Sequence, residues 1–125
     1  MRASVWYVNV YVTDFARAID FYENLLGLPL RMREDKFGYA SFATDGATFS
    51  IARVDPTSAE SKTLVGRHTG IGIGVASLQA AFEELSRKGV KFTMPPTRQP
   101  WGGTLAMFSD PEGNVMFLDQ LRDEH

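Results

Sequence analysis

Apolar and polar residues alternate at the start of the chain and predict a half-buried strand over residues 5–12. Valines occupy one side of this strand and larger, more polar residues the other: Val8, Val10 and Val12 against Tyr7, Asn9 and Tyr11. Apolar residues then recur at three- and four-residue spacing over residues 15–26, which predicts an amphipathic helix. Thr13 or Asp14 can cap its first turn, and Gly27 ends it.

Three further strands complete the first half of the chain. Their sequences place them at residues 28–34, 37–43 and 48–54. Thr44-Asp45-Gly46 is predicted to form the hairpin turn between the last two, since Asp-Gly tolerates the positive φ that such turns require. The polar stretch over residues 55–67 is rich in Ser and Thr and is predicted to be a linker.

The same order of elements returns after the linker. Residues 69–75 predict a strand, Ser77 a helix cap, and Leu78 the start of a second amphipathic helix that ends at Gly89. The positions correspond one by one across the chain, so that Asp14 of the first half matches Ser77 of the second. We therefore predict an internal repeat in which each half is a βαβββ module.

The last part of the chain is predicted to be a strand, a loop and a hairpin. The strand covers residues 90–94, and a stiff loop follows at three prolines, Pro95, Pro96 and Pro100. The hairpin joins residues 104–109 to residues 115–121 through Asp110-Pro111-Glu112-Gly113-Asn114. Proline fixes φ early in this turn, glycine supplies positive φ near its end, and the Asp110 carboxylate can accept backbone N–H groups.

Two segments resemble the vicinal oxygen chelate superfamily, which includes glyoxalase I, bleomycin-resistance proteins and extradiol dioxygenases. WGGTLAMFSDPEGNVMFL is similar to the last hairpin of that superfamily, and VNVYVTDFARAIDFYENLLGLPL to its opening strand and helix. The resemblance spans residues 5–121 and is closest to the metal-free members of bleomycin-resistance type.

The resemblance implies an α+β fold for residues 1–125 as a single domain. Two tandem βαβββ modules, at about residues 4–54 and 68–121, would form an incompletely closed barrel around a shared cavity, joined by the linker at residues 55–67. A dimer is expected, because symmetric pairs are the commonest oligomers. The alternative is a ferredoxin-like sandwich, which would have one continuous four-stranded sheet for the helix pair and no shared cavity.

Composition narrows the classes of function. The chain has 125 residues, 44% of them hydrophobic, and a formal net charge of −2 without a basic block, which argues against a nucleic-acid surface. It contains no cysteine, so disulfides, thiolate metal sites and a cysteine nucleophile are excluded. No apolar run approaches the roughly 20 residues that a membrane-spanning helix needs, and a cytoplasmic protein without membrane contact is expected.

Metal-dependent members of the family hold one divalent ion with four side chains from the first and last strands of each half. Carried over by position, the resemblance puts these ligands at Tyr7, Ser50, Gly70 and Phe117. None of the four is a usual ligand for such an ion, so no metal, other cofactor or catalytic residue is predicted. A register shift of two residues would instead bring His68 or Asp119 to the cavity.

Alternate glycines at residues 70, 72 and 74 leave one side of their strand bare, while its other side is aliphatic. A roomy pocket with aromatic walls and few polar groups suits a flat organic ligand. The predicted ligand-binding residues come from the cavity-side positions and two neighbouring aromatic or basic residues: Tyr7, Asn9, Tyr11, Ser50, His68, Gly70, Gly72, Trp101, Phe117 and Asp119.

Structural roles for the same residues stay open. Tyr7 and Tyr11 can be core aromatics, and Trp101 can anchor its loop or stack on a ligand. His68 suits a surface or capping position or a donor at the pocket mouth, and Asp119 a surface carboxylate. The glycines can serve strand crossing or dimer contact instead of ligand space.

Three functions follow from these readings. The first is sequestration of a small planar or aromatic compound, such as an antibiotic or natural product, without metal or chemistry. The second is an enzyme, either a metal-dependent lyase, isomerase or dioxygenase or a metal-independent acid–base catalyst using Tyr7 or Asp119. The third is an interaction module whose own aromatics fill the cavity, which predicts no pocket above roughly 300 Å³.

Overall fold

The computed structural model describes residues 1–122, which form eight strands in two four-stranded sheets together with three helical segments. The chain divides into a first compact unit, Met1–Gly66, and a second that begins at Arg67. Neither sheet closes on itself as a barrel in the described part of the chain. Each sheet is built from the strands of one half of the sequence, which confirms the α+β fold with two βαβββ modules. The ferredoxin-like alternative, which has one continuous sheet, is wrong.

The first unit carries four strands and two of the helical segments. In chain order these are β1 (Tyr7–Val12), α1 (Phe15–Ile19) with a π-helical continuation (Asp20–Leu25), β2 (Leu30–Glu34), β3 (Tyr39–Phe42), β4 (Thr48–Arg53) and α2 (Ala59–Leu64). The sheet order is β1-β4-β3-β2, with β1 parallel to β4 and the other neighbours antiparallel. The polar segment that sequence predicts as a linker therefore contains a short helix.

The first helix begins as predicted and then widens. Asp14 is its N-cap, and its carboxylate accepts the Arg17 backbone N–H at 3.2 Å. From Asp20 the turns are π-helical, and the Leu26 N–H donates to the Phe21 carbonyl at 2.9 Å, five residues back. Phe21 is buried in the core beside Tyr22. Sequence analysis predicted Tyr22 on the apolar face of the helix and missed Phe21.

Aromatic side chains from this helix and from the sheet form the core of the first unit. The Tyr22 ring lies 5.2 Å from that of Phe49 and 6.1 Å from that of Phe42, measured between centroids. Val10 and Val12 of β1 are buried on the same side of the sheet. The predicted valine side of β1 therefore covers the helix, and its tyrosine side forms the opposite face.

The second unit repeats the order of the first. Its elements are β5 (His68–Val75), α3 (Leu78–Arg87), β6 (Lys91–Arg98), β7 (Thr104–Ser109) and β8 (Val115–Gln120). The sheet order is β5-β8-β7-β6, with β5 parallel to β8. Ser77 caps α3 as predicted and accepts the Ala80 N–H at 3.2 Å, and Gly89 ends the helix region with φ of +91°.

The turn between β7 and β8 is held by one buried carboxylate. Asp110 accepts the backbone N–H groups of Glu112 and Asn114 at 2.9 and 3.0 Å and the Asn114 side-chain amide at 2.8 Å. Gly113 supplies the positive φ, +84°. These contacts confirm the turn that the sequence predicts and explain why a carboxylate occupies its first position.

Two local predictions are wrong. Pro95 and Pro96 do not lie in a loop but inside β6, the edge strand of its sheet. The pairing of β6 with β7 skips these two residues, between Met94 and Thr97. Proline has no backbone N–H, and at these positions none is needed for a bond to β7. The predicted hairpin turn at residues 44–46 does join β3 to β4, but its predicted positive φ is wrong, since no residue there has one and the Thr44 hydroxyl closes the turn by donating to the Ala47 carbonyl at 2.6 Å.

No helix within residues 1–122 has the length and apolar character that crossing a membrane requires.

Candidate functional site

Each sheet has one face covered by its helix and a second face that carries the predicted site residues. In the first unit, the parallel register pairs Tyr7 with Thr48, Asn9 with Ser50, and Tyr11 with Ala52. Because side chains alternate across a strand, all of these lie on the second face. We call them, with Tyr39 and Ser41 of β3 and Met32 of β2, the second face of the first sheet.

A concavity of about 630 Å³ lies at the end of this face where β1 and β4 begin. Its walls come from the chain start and from β2, β3 and β4: Ser4, Val5, Trp6, Tyr7, Met32, Tyr39, Ser41, Gly46, Ala47 and Thr48. Tyr7 is the one predicted site residue among them, and its side chain is 57% exposed. Asn9, Tyr11 and Ser50 lie on the same face but do not line the concavity.

Ser50 is enclosed and has a structural partner. It is fully buried, and the Tyr39 hydroxyl donates to its Oγ at 2.8 Å. Neighbouring Asn9 also points its side-chain oxygen inward, where the atom has no hydrogen-bond partner within residues 1–122. Ser50 is therefore available to a ligand only if Tyr39 moves, and Tyr39 is the residue that the ligand would meet.

In the second unit, the second face is formed by β5, β8 and β7. Gly72 pairs with Phe117 and Gly74 with Asp119, while Phe117 pairs with Met107 on its other side. Together with His68, Gly70, Leu105 and Val115 these residues form what we call the second face of the second sheet. It brings five of the predicted site residues together: His68, Gly70, Gly72, Phe117 and Asp119.

The strand of alternate glycines is bare along only part of its length. A β-carbon built at Gly70 would meet no atom within 4 Å, and one at Gly72 would meet only Phe117 Cβ at 3.9 Å. At Gly74 the same atom would come within 2.5 Å of Leu121 Cδ2. The space that sequence assigned to a ligand is therefore open at Gly70 and Gly72, whereas Leu121 fills it at Gly74.

Asp119 stands at the other end of this face from His68. It lines a smaller cavity of about 270 Å³ together with residues of β5, of the end of β8 and of the chain after it: Gly72, Gly74, Gln120, Leu121 and Arg122. Its Oδ1 accepts the backbone N–H of Gln120 at 2.8 Å. A carboxylate at this cavity gives the surface one anionic group, and Arg122 gives it one cationic group.

Trp101 lies at the tip of the β6–β7 hairpin and is 67% exposed. The Gln99 N–H donates to the Gly103 carbonyl at 2.7 Å and closes this hairpin. A β-carbon at Gly103 would lie 2.9 Å from Trp101 Nε1 and 2.6 Å from Arg122 Nη2, so the glycine lets both side chains pack over the backbone. Trp101 does not line either cavity.

The residues present do not fit the metal site of the family. Gly70 and Phe117 have no donor atom, and Ser50 is covered by Tyr39. His68 pairs with Val115, four residues before Asp119 on β8, so about 13 Å of strand separates the two candidate replacements. Ligand atoms must lie within about 2–2.6 Å of one ion. Within residues 1–122, no three His, Asp or Glu side chains are grouped in a way that could hold a metal.

Sequence analysis missed several residues of both faces. Trp6, Met32 and Tyr39 line the first concavity, while Met107 pairs with Phe117 and Leu105 with Asp119. Alternation within each strand predicted which side a residue faces, but it gave no register between strands. Only the register brings Tyr39 over Ser50 and Met107 beside Phe117.

Comparisons with known proteins agree with this architecture. The family model described as the Glyoxalase/Bleomycin resistance protein/Dioxygenase superfamily matches residues 4–116. TnmS3, an antibiotic binding protein from Streptomyces sp. CB03234, is similar with 32% identity and a TM-score of 0.75, covering 97% of this chain and 98% of its own.

Two further proteins are similar over nearly their whole length. A member of the same superfamily from Sphaerobacter thermophilus DSM 20745 has 31% identity and a TM-score of 0.79, covering 97% of this chain and 99% of its own. The uncharacterized protein YraH of Bacillus subtilis (strain 168) is 26% identical over 122 residues, which are 91% of this chain and 95% of YraH.

Proposed function

Because this chain belongs to the glyoxalase/bleomycin resistance protein/dioxygenase superfamily, we propose that it binds and sequesters a small planar or aromatic compound without a metal and without chemistry. The observation that carries the proposal is the second face of the second sheet. There Gly70 and Gly72 carry no side chain, and a β-carbon would meet nothing within 4 Å at Gly70 and only Phe117 Cβ, at 3.9 Å, at Gly72. A flat apolar molecule can stack where side chains are missing.

The first unit supports the same proposal. Its concavity of about 630 Å³ is within the size range of small-molecule sites, roughly 300–1,000 Å³. Trp6, Tyr7 and Met32 supply apolar and aromatic area, while Tyr39 and Thr48 supply hydroxyl groups. The concavity is wide open to solvent, so a compound bound there would keep one face exposed.

Similarity to TnmS3 supports a ligand of this kind. TnmS3 is described as an antibiotic binding protein, and it shares 32% of its residues with this chain over nearly the full length of both. We propose the corresponding activity here, in the cytoplasm and as a homodimer. Sizing chromatography with light scattering would return twice the chain mass of 13.9 kDa for the dimer, and a monomer would overturn that part.

A ligand screen tests the proposed function. The melting temperature of the protein is measured against a panel of planar drugs and metabolites, since a ligand at 100 times its Kd raises the free energy of unfolding by about 2.7 kcal/mol. Gly72→Leu fills the open wall and should remove the shift caused by a compound that stacks on that wall. Ala80→Leu, at an exposed position of α3, adds the same side chain elsewhere and should retain it.

Two results would overturn the proposal. One is a full panel in which no planar compound raises the melting temperature of the unmodified protein. The other is elemental analysis that finds about one divalent ion per chain in untagged protein purified without chelator. That result would direct attention to metal-dependent lyase, isomerase and dioxygenase reactions instead.

A further inference from the structure

The start of β5 departs from the regular ladder. Its register with β8 shifts between His68 and Gly72, and Gly70 has a φ of +74°. Two side chains take over the backbone contacts there. The Thr69 hydroxyl accepts the Ile71 N–H at 3.1 Å and donates to the Val115 carbonyl at 2.9 Å. Bulges of this kind are common next to binding sites, where they change the direction in which a side chain points.

The side chain whose direction the irregularity sets here is that of His68. Its Nδ1 accepts the Gly70 backbone N–H at 3.1 Å, which requires a lone pair on that nitrogen. The neutral imidazole then carries its proton on Nε2. Nε2 has no acceptor within residues 1–122, and the side chain is exposed. The contact with Gly70 thus fixes one tautomer and leaves a single N–H donor facing outward.

This donor stands at the edge of the open glycine wall. The imidazole packs against Phe117, with 4.7 Å between ring centroids and 58° between ring planes. Phe117 in turn pairs with Gly72, where a β-carbon would meet only Phe117 Cβ, at 3.9 Å. A flat molecule lying along Gly70 and Gly72 would therefore present one of its edges to His68 Nε2.

We propose that His68 selects ligands by a hydrogen bond from Nε2–H to a carbonyl oxygen on the edge of a planar ring system. This inference rests on the proposed function and adds the chemical class of the ligand. A ring that carries an in-plane carbonyl gains the bond, because a C=O oxygen accepts in the plane of its substituents. The corresponding hydrocarbon stacks on the same wall and leaves the donor without a partner.

A matched pair of compounds measures this selection. Fluorenone-2-carboxylate and fluorene-2-carboxylate have the same tricyclic shape and charge and differ by one ring carbonyl. Calorimetric titration of the unmodified protein should give roughly three- to tenfold tighter binding of the ketone, as expected for one neutral hydrogen bond. The quantity compared between variants is the ratio of the two affinities.

Two variants at the same position separate the donor from its structural contacts. His68→Phe retains a ring against Phe117 but has no nitrogen. His68→Asn retains an acceptor for the Gly70 N–H, as in an Asx turn, but has no group at the position of Nε2. The ratio should fall to about one in both variants, and it should keep its original value in Ala80→Leu. Circular dichroism verifies that each variant is folded.

Each outcome bears on the proposal. A ratio that keeps its original value in His68→Phe and His68→Asn overturns the role of Nε2 and leaves the proposed function intact. Binding of other planar compounds without binding of either fluorene derivative overturns the ligand class. If no planar compound of any kind binds, the proposed function fails and this inference fails with it.

Discussion

Replacing Asp110 with alanine should destabilise the second unit more than any surface substitution. The Asp110 side chain is 4% exposed and accepts two backbone N–H groups and one side-chain amide at 2.8–3.0 Å. Hydrogen bonds to a charged group contribute about 1.5–3 kcal/mol each, although such terms are not additive. Asn114 is also buried, and alanine would remove the Asp110 oxygens that accept its backbone N–H and its side-chain amide.

We expect Asp110→Ala to lower the free energy of unfolding by about 3–5 kcal/mol, a large part of the roughly 5–15 kcal/mol typical of a folded protein. Urea denaturation followed by circular dichroism measures this loss. Hydrogen exchange at Glu112 and Asn114 locates it, because their amides lose their acceptor.

Two companion variants keep the result interpretable. Asp110→Asn retains one acceptor oxygen for the backbone N–H groups but places a donor opposite the Asn114 amide, and it should cost about half as much. Asp45→Ala removes an exposed carboxylate from another turn and should change stability by less than about 0.5 kcal/mol. If Asp110→Ala is folded and its free energy of unfolding falls by less than about 1 kcal/mol, the reasoning is refuted.

The remaining predictions concern the two second faces. Gly72→Ala should be neutral or stabilise by about 0.5–1 kcal/mol in urea denaturation, because glycine weakens a strand and the new β-carbon has room. Gly74→Ala should stabilise less than Gly72→Ala, since the end of the exposed Leu121 side chain must move aside, and equal effects at the two glycines would contradict the packing described. Tyr39→Phe removes the hydroxyl that donates to buried Ser50 and should cost about 1 kcal/mol. An unchanged urea midpoint would show that the bond contributes nothing.

Local signals in the sequence were sufficient for the order of elements within each module, but not for α2 in the predicted linker. Asp14 and Ser77 cap their helices, and the turn at Asp110 has the contacts that its residues predict, because these features depend on neighbours two to four positions away. The repeat of the βαβββ pattern was readable for the same reason. The faces of β1 and β5 followed from the two-residue period of a strand.

Tertiary structure decided what depends on register and on distant partners. Alternation gave the bare side of β5, but only the path of the chain after β8 brings Leu121 over Gly74 and leaves Gly72 open. Only the pairing of β3 with β4 places Tyr39 over Ser50. Such contacts join residues that are 11 to 47 positions apart, and no pattern within a single strand or helix encodes their distance.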